Sequence, residues 1–364
     1  MSAAPERMAA VLLTGHGGFE KLEYRTDVPV PEPGPDEVLI EVRAASVNNT
    51  DVNTRIGWYG RAGDEVGGSW TGAPLGFPRI QGADCCGVVV AVGEGVSAGR
   101  VGERVIVRTM LRGYTGDDPY ACWTFGSECD GGFAQYAKAP ARDVYAVDCT
   151  WTDAELASIP CAYSTAENML RRAGVAAETV VVTGASGGVG SAAVQLARRR
   201  GAEVWAVASQ EKAPELRALG ASRVVDRGED PVEAFGAGVV DVVVDVVGGP
   251  QWPRLVETLR TGGRYAVAGA IAGAHVELDL RTLYLRDLTF LGCTCQEDEV
   301  FESLVAYVER DEIRPVVART YALSAVVEAQ QDFLAKRFVG KLVLLPPGPH
   351  DRGVRAIHAR TGEQ

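Results

Sequence analysis

Histidine, basic charge and long apolar runs are all scarce in this chain of 364 residues. Its four histidines leave few imidazoles for a metal site. Lys and Arg number 36 against 48 Asp and Glu, and this net charge of −12 argues against nucleic acid or an anionic membrane as a partner. The N-terminus has no basic segment followed by an apolar one, and no uncharged run is long enough to span a bilayer. We therefore expect a cytoplasmic protein that acts on a small molecule.

Cysteine is also too sparse for a disulfide framework, because eight cysteines are spread over a long chain. We expect these thiols to be reduced and mostly buried. Hydrophobic residues make up 46% of the chain, which is ample for packed cores. At about 150 residues per domain, the length suggests two domains or slightly more.

A glycine-rich turn is the most informative feature that is present. An apolar β-like run at 179–183 leads into this turn at 184–190, and a helical pattern follows at 191–200. Such a turn lets backbone approach a dinucleotide pyrophosphate, which the first N–H groups of the helix then bind. The alternative is a purely structural strand-to-helix turn; a P-loop is excluded because no Lys-Ser or Lys-Thr pair closes the motif. The residues assigned to cofactor binding here are Gly184, Ser186, Gly187, Gly188, Val189 and Gly190.

Short β-runs recur after this turn, at 203–208, 222–226, 240–247, 263–269 and 288–292. Helical or loop connections separate them, which predicts a doubly wound parallel sheet. Residues 8–43 and 87–107 instead have the alternation of antiparallel β-structure. A helix is predicted at 297–310, and a further helix and strand within 316–345. The Pro-, Gly- and Arg-rich tail at 347–364 is expected to be disordered.

Four segments carry a family resemblance: Val-Asn-Asn-Thr-Asp at 47–51 with Arg55 and Gly-Trp-Tyr at 57–59, Gly-Gly-Phe-Ala-Gln-Tyr at 131–136, Gly-Ala-Ser-Gly-Gly-Val-Gly at 184–190, and Gly-Lys-Leu-Val at 340–343. Together they resemble the medium-chain dehydrogenase/reductase superfamily, and more narrowly its zinc-independent quinone oxidoreductase and enoyl reductase branch. The resemblance implies an α/β fold in which a Rossmann doubly wound parallel sheet is inserted in a GroES-like, mostly β catalytic domain. The implied division is 1–151 for the first part of the catalytic domain, 152–296 for the Rossmann domain and 297–346 for the return.

The resemblance also bears on metal content. Zinc-dependent members bind catalytic zinc through a Cys, a His and a second Cys, and the matching positions here are Asn48, Ala83 and Cys161. A catalytic zinc needs three protein ligands, so these positions imply no zinc, although the neighbouring acidic position is retained as Asp84. Cys161 is alternatively a small buried apolar side chain. The loop that corresponds to the structural zinc lobe contains Cys122 and Cys129, too few for that site.

Residues 48–59 are expected to carry the chemistry. By resemblance, Asn48 approaches the nicotinamide and the substrate carbonyl, Thr50 extends a proton relay and Asp51 buttresses the loop. Tyr59 matches a tyrosine that donates a proton or contacts substrate in relatives. A second aromatic found in relatives is replaced by Asn53, a departure from the shared tyrosine mechanism. The alternatives are a packing role for Tyr59 and a turn-forming amide for Asn48.

The end of the second predicted strand indicates the cofactor. It reads Val-Ala-Ser-Gln-Glu-Lys at 207–212, without a carboxylate at the strand end itself. Small Ser209 and basic Lys212 favour NADPH over NADH, although Glu211 is an alternative partner for an NAD ribose. The resemblance adds Thr165, Arg227, Gly269 and Lys341 near the cofactor; for Arg227 and Lys341 the alternative is a solvated side chain.

Two loops, at 57–78 and 109–133, are rich in aromatic residues and are expected to enclose a flat or bulky substrate. The pocket residues expected from them are Trp58, Trp70, Trp123 and Phe125. The predicted function is an NADPH-dependent, metal-free oxidoreductase that delivers hydride to an activated C=C bond or a quinone. The alternatives are an alcohol or aldehyde dehydrogenase with an atypical zinc site, and a cofactor-binding protein with little catalysis. We expect a homodimer, because pairing edge strand 288–292 across a two-fold axis would cover it.

Overall fold

The first part of the chain forms antiparallel β-structure. The computed structural model describes residues 4–60, 68–71, 74–116, 118–121 and 123–348. Of the tail predicted to be disordered, 347–364, residues 349–364 lie outside the described residues, and so does Cys122. The elements are β1 (Arg7–Leu13), β2 (Leu22–Pro29), β3 (Glu37–Ser46), α1 (Asn49–Ile56), β4 (Arg79–Ile80), β5 (Cys86–Val92), β6 (Arg104–Val107), β7 (Tyr136–Pro140) and β8 (Val144–Ala146). A small sheet has the order β2-β1-β4, and β3 pairs antiparallel with both β5 and β7.

The middle of the chain alternates between strands and helices. Its elements are α2 (Asp153–Leu156), α3 (Pro160–Arg172), β9 (Thr179–Val182), α4 (Gly188–Arg199), β10 (Glu203–Ala208), α5 (Ala213–Leu219), β11 (Arg223–Asp226), α6 (Pro231–Phe235), β12 (Val240–Asp245), α7 (Trp252–Thr258), β13 (Leu259–Val267), α8 (Leu280–Leu285), β14 (Thr289–Gly292) and α9 (Asp298–Glu309). The strands form one parallel sheet in the order β11-β10-β9-β12-β13-β14. The chain reverses direction across the sheet between β9 and β12, where dinucleotides bind in such folds.

The end of the chain returns to the first sheet. Its elements are β15 (Val317–Ala322), α10 (Val326–Ala335) and β16 (Lys341–Leu345). β16 pairs antiparallel with β3 and parallel with β15, which gives the order β15-β16-β3-β5-β6-β8. Val343 of β16 pairs with Ser46 of β3. Because the two strands are antiparallel, Lys341 at the start of β16 lies beside Asn48, the residue that precedes α1.

The packing follows from the sequence pattern of each sheet. β9 reads Thr-Val-Val-Val, and its three valines are completely buried because helices cover both faces of a parallel sheet. The antiparallel strands pack one face on a second core that includes Ile40, Phe133 and Leu344. The predicted fold class, a Rossmann sheet with a GroES-like β domain, is confirmed. Within the described part of the chain, no helix is both long and apolar enough to cross a membrane.

Candidate active site

Helix α1 begins at a reciprocal cap formed by Asn48 and Asp51. The Asp51 carboxylate accepts the Asn48 N–H at 2.7 Å and the Ala83 N–H at 3.2 Å, and the Asn48 side chain faces the third helical N–H. This Asn-x-x-Asp arrangement satisfies N–H groups that a helix start otherwise leaves open. Burial raises the pKa of the Asp51 carboxyl to about 7, against the effect of its two N–H donors. Asp51 thus fixes the start of α1 against the turn before β5, which fits its predicted buttressing role.

A buried polar cluster lies beside this cap. The Lys341 ammonium, at the start of β16, donates to Asn48 Oδ1 and to Asp84 Oδ2, the latter at 3.2 Å. Asp84 Oδ2 also accepts from Asn48 Nδ2 at 2.7 Å and from the Ser46 hydroxyl. Asp84 Oδ1 accepts the Cys161 N–H at 2.6 Å, at the first turn of α3. The Asp84 carboxylate therefore joins the turn before β5 to three other parts of the chain: the end of β3 with the start of α1, the start of α3, and the start of β16.

Thr50, the second residue of α1, is the centre of a hydroxyl and aromatic group. Its Oγ1 accepts from the Tyr59 hydroxyl at 3.2 Å and from Trp70 Nε1 at 2.8 Å. The Tyr59 ring lies edge-to-face with Trp58 and with Trp70, at centroid distances of 5.3 and 6.0 Å. Asn53 Nδ2 donates to the Tyr59 hydroxyl at 3.4 Å. Burial raises the pKa of the Tyr59 phenol, against the lowering effect of its hydrogen bonds with Thr50, Asn53 and Trp70, so the phenol remains protonated at neutral pH.

The glycine-rich turn joins β9 to α4 as predicted for the strand-turn-helix motif. A Cβ at Gly190 would lie 2.2 Å from Gly184 O, so helix and strand approach as closely as glycine allows. A Cβ at Gly187 would lie 3.4 Å from Gly184 O, which leaves space on that side of the turn. The first N–H groups of α4, at Gly188, Val189 and Gly190, have no partner within a helix. The turn therefore fits a pyrophosphate in geometry and in charge.

Two lysines flank this turn with neutral hydrogen-bond partners. Lys212, which is buried, donates to Ser186 Oγ at 3.4 Å and to Lys336 O at 2.6 Å. Lys336, in the left-handed conformation that ends α10, donates to Asn49 Oδ1 at 3.2 Å. Burial and the charges of Lys341 and Lys212 lower the pKa of Lys336 to about 8. Ammonium groups gathered in this way around a helix start favour an anion between them.

The other predicted cofactor residues lie along the same sheet edge and on α3. Ser209 follows β10, and its carbonyl accepts the Lys212 N–H at 3.0 Å. Arg227 follows β11 and is exposed. Burial lowers the pKa of Lys212, and the charge of Arg227 adds to this effect. Gly269 follows β13, where a Cβ would lie 2.8 Å from Val246 O. Thr165 is directed along α3 and donates to Cys161 O at 2.7 Å.

The aromatic residues expected in a substrate pocket do not form one group. Trp58 and Trp70 lie with Tyr59, whereas Trp123 pairs with Tyr114 at a centroid distance of 6.0 Å. Phe125 is 0% exposed and belongs to the first-domain core. The prediction that Phe125 lines the pocket is wrong, because a side chain sealed by packing on every side has no surface to offer a substrate. Part of the loop that carries Trp70, residues 61–67 and 72–73, lies outside the described residues.

The donor set at the metal-ligand positions can be compared with the needs of zinc. Asn48, Ala83 and Cys161 supply an amide, a methyl group and one thiol. Burial and Asp84 raise the pKa of the Cys161 thiol, which disfavours the thiolate that zinc binds. Among the residues that the structure describes, no group of three or more His, Cys, Asp or Glu is placed to hold a metal ion. The residues present therefore do not fit a catalytic zinc.

The sequence argument missed three features of this site. Lys336 was not predicted, although a Lys-Arg pair at 336–337 stands just before the Gly-Lys-Leu-Val motif. Helix α1 was not predicted, although Asn-x-x-Asp at 48–51 is a capping pattern. The structure also turns Lys341 toward Asn48 and Asp84, which no sequence spacing indicated.

Comparison with known proteins gives the family. A family model described as alcohol dehydrogenase GroES-like domain matches residues 34–148, and one described as zinc-binding dehydrogenase matches residues 188–310. The chain is 30% identical to acryloyl-coenzyme A reductase of Sulfurisphaera tokodaii, over 93% of this chain and 100% of that protein. It is 29% identical to human quinone oxidoreductase, over 95% of this chain and 100% of that protein.

A solved structure is similar over nearly the whole fold. The crystal structure of a candidate alcohol dehydrogenase from Sinorhizobium meliloti 1021 shares 50% sequence identity and a TM-score of 0.90, covering 94% of this chain and 98% of that one. These matches confirm the resemblance carried by the sequence motifs. The chain belongs to the medium-chain dehydrogenase/reductase superfamily and is an oxidoreductase, for which a pyridine nucleotide is the expected cofactor.

Proposed function

We propose that the protein is an NADPH-dependent, metal-free reductase of activated C=C bonds or quinones, with an enone, an enoyl thioester or a quinone as substrate. The observation that carries this proposal is the buried cluster at the metal-ligand positions, where the cation is the Lys341 ammonium bonded to Asn48 and Asp84. Without a Lewis acid to stabilise the alkoxide, direct oxidation of an alcohol becomes difficult, whereas conjugate reduction does not depend on one. Two relatives are named for an enoyl thioester and for a quinone, which are substrates of this kind.

The glycine-rich turn and its lysines fit NADPH. The pyrophosphate would lie at the start of α4, and Lys212 with Lys336 would hold the additional phosphate that distinguishes NADPH from NADH. When bound, NADPH supplies the hydride. The ammonium groups of Lys212 and Lys336 have only neutral hydrogen-bond partners among the described residues. This supports the assignment, because burying two ammonium groups together without an anion is unfavourable.

Tyr59 is the proposed proton donor. Its phenol remains protonated at neutral pH, and its hydroxyl is fixed by Thr50 and Asn53 at 3.2 and 3.4 Å. Reduction of a conjugated carbonyl leaves negative charge on the substrate oxygen, which a hydrogen-bond donor stabilises and a proton then neutralises. The Thr50 hydroxyl, on α1, accepts a hydrogen bond from this phenol and would be the second group of a proton relay.

Replacing Tyr59 tests this role. We expect Tyr59→Phe to lower kcat at least about tenfold, because general acid catalysis contributes that much or more. Tyr24→Phe, a half-buried tyrosine on β2, is the matched control and should retain activity. Steady-state kinetics that show equal turnover for both variants would remove Tyr59 from the chemistry and leave the fold assignment intact.

The cofactor and metal assignments have their own tests. Purified protein should oxidise NADPH in the presence of members of a panel of quinones, enones and enoyl thioesters, followed by loss of nicotinamide absorbance. The KM for NADPH should be lower than that for NADH, and metal analysis should find zinc well below one atom per chain. Equal or lower KM values for NADH would overturn the cofactor assignment.

An alcohol dehydrogenase is the second candidate, because the solved structure at 50% identity is described as a candidate alcohol dehydrogenase. Stoichiometric zinc together with oxidation of alcohols would favour it over the reductase. Tight NADPH binding without turnover of any panel member would instead indicate a cofactor-binding protein.

We further propose a homodimer formed through β14, and the division of the chain at 151, 296 and 346 given above. β14 is an edge strand of the parallel sheet, since its described partner is β13. Helix α8, which precedes it, has no buried residue, and Leu280, Tyr284 and Leu285 are each more than 60% exposed. An edge strand beside an exposed apolar helix is typical of a subunit interface. The pairing of β16 with β3 supports the proposed return of the chain to its first domain.

A further inference from the structure

The side chain of Lys341 crosses from the cofactor turn to the substrate side of the site. Its stem passes beside Gly188, where a Cβ would lie 2.7 Å from Lys341 Cδ. Its ammonium then reaches Asn48 and Asp84, and the side chain is 3% exposed. The charged end therefore lies between the start of α4 and the start of α1: Lys341 Nζ is 3.7 Å from the Cβ position of Gly188, and its hydrogen bonds go to Asn48 and Asp84. This distinguishes Lys341 from Lys212 and Lys336, whose ammonium groups lie around Ser186 and Asn49.

The amide of Asn48 has its hydrogen-bonding groups taken by the protein. Oδ1 accepts from Lys341, and Nδ2 donates to Asp84 Oδ2 at 2.7 Å and to Ser46 O at 3.2 Å. An amide has two N–H donors, and both are used here. The lysine ammonium also sets the orientation of the amide, because only the oxygen can face it. Asn48, which the resemblance places near the substrate carbonyl, therefore has no free N–H to donate to that carbonyl in this arrangement.

Asp84 links Lys341 to two helices. Its Oδ1 accepts the Cys161 N–H at the start of α3, and its Oδ2 accepts from Asn48 at the start of α1. Asp84 is completely buried, and a buried carboxylate needs a counter-charge to be tolerated. The Lys341 ammonium at 3.2 Å is that counter-charge. Helix α1 carries Thr50, to which Tyr59 is bonded, so the position of the proposed proton donor depends on the same cluster.

We propose that Lys341 is a positioning residue for the substrate side of the site: its ammonium balances Asp84 and orients Asn48, and thereby holds the starts of α1 and α3. The three lysines then have two different roles. Lys212 and Lys336 contribute to cofactor affinity, and Lys341 contributes to turnover with little effect on that affinity. The turnover part rests on the proposed function, whereas the positioning part concerns the free protein.

Lys341→Met and Lys336→Met in the full-length protein separate these roles. NADPH affinity, measured by fluorescence titration, should stay within about twofold for Lys341→Met and weaken about tenfold for Lys336→Met, the cost of one charge-assisted bond. With a substrate that the wild type reduces, kcat should fall about tenfold or more for Lys341→Met, because small displacements of reacting groups are costly. Lys341→Arg should recover part of this loss, since it restores the charge.

Hydrogen exchange reports the positioning without any substrate. The backbone amide hydrogens of Asn48 and Cys161 should exchange faster in Lys341→Met than in the wild type, and should be unchanged in Lys336→Met. If Lys341→Met fails to fold, the double variant Asp84→Asn/Lys341→Met, which leaves no unpaired buried charge, takes its place in both measurements. Normal exchange at both amides, or weakened NADPH binding with unchanged kcat, would overturn the proposal. If the wild type reduces no panel substrate, the proposed function fails. The role of Lys341 is then decided by two measurements alone, amide hydrogen exchange and NADPH affinity.

Discussion

Lys336 gives the proposed NADPH site a pH dependence. Its pKa is lowered to about 8 by burial and by the charges of Lys341 and Lys212. A bound phosphate stabilises the charged ammonium, so binding takes up a proton above this pKa and NADPH affinity should fall as pH rises through about 8. Fluorescence titrations between about pH 7 and about pH 9.5 measure this dependence. Lys336→Arg should bind NADPH with a flatter profile, because guanidinium stays protonated. Identical slopes for the two proteins would exclude Lys336 as the titrating group.

The free protein should show the opposite trend at the same residue. The pKa of Lys336 is about 8 in the folded chain, against 10.5 for an unperturbed lysine. Between these two pH values the folded state therefore binds fewer protons than the unfolded state. The contribution of Lys336 to the free energy of unfolding therefore rises with pH between these values. Denaturant titrations of wild type and Lys336→Arg without cofactor isolate this contribution. Opposite signs for stability and for affinity identify Lys336 more firmly than either measurement alone.

Single residues were predictable from the sequence where the argument was local. The glycines at 184–190 and Lys212 stand in fixed positions around one turn, and the structure brings them together with Ser186. Lys341 and Asn48 are 293 positions apart, and their contact depends on β16 lying beside β3. Spacing along the chain carries no information on such a pair. The error at Phe125 has the same origin, because an aromatic residue in a long loop looks alike in sequence whether it faces solvent or the core.

At the scale of elements, two glycines at the junction of β9 and α4 have different roles: Gly190 allows close packing, and Gly187 leaves space at the helix start. Gly190→Ala would place a Cβ 2.2 Å from Gly184 O, so the helix must shift, at a cost of about 1–3 kcal/mol in the free energy of unfolding. Gly187→Ala would place its Cβ 3.4 Å from the same oxygen on extended backbone, so stability should change by about 0.5 kcal/mol or less. That Cβ would instead take up space at the helix start that we propose as the pyrophosphate site.

We therefore expect Gly187→Ala to lose NADPH affinity at near-normal stability, and Gly190→Ala to lose stability first. Chemical denaturation and NADPH titration on both variants measure the two effects. Equal affinity of Gly187→Ala and the wild type would contradict the placement of the cofactor at this turn. A matching loss of stability in both variants would mean that the turn is purely structural.

Elements were predictable where hydrophobic pattern and turn signals agreed. The strand predicted at 203–208 is β10 itself, and the runs at 222–226 and 288–292 differ from β11 and β14 by one residue at the start. Helix α1 was missed because its hydrophobic periodicity is weak: five of its eight residues are buried, yet they include polar Thr50, Asp51 and Thr54. A helix whose buried face is polar is held by hydrogen bonds to distant partners, which the local pattern does not show.

At the scale of the whole molecule, the surface around β14 predicts how two copies meet. Leu280 and Leu285 on α8 are 64% and 67% exposed, and β14 offers an unpaired edge within the described sheet. Burying them against a second copy would stabilise a dimer by about 25 cal/mol for each Å² of apolar area covered. Two charged side chains there should oppose association, because each would have to be desolvated without a partner.

We expect the double variant Leu280→Glu/Leu285→Glu to shift the protein from dimer to monomer, with the Rossmann fold retained because α8 contributes no buried residue. Leu334→Glu, at a 46% exposed leucine on α10, is the matched control and should leave the assembly unchanged. Analytical ultracentrifugation at several concentrations distinguishes the two. If the wild type sediments as a monomer, the edge-strand dimer is wrong. If the double variant stays dimeric, the copies meet through a surface other than α8. Because the glycine turn and Lys336 lie within one chain, NADPH titration of the monomeric variant should give the wild-type affinity, which separates assembly from cofactor binding.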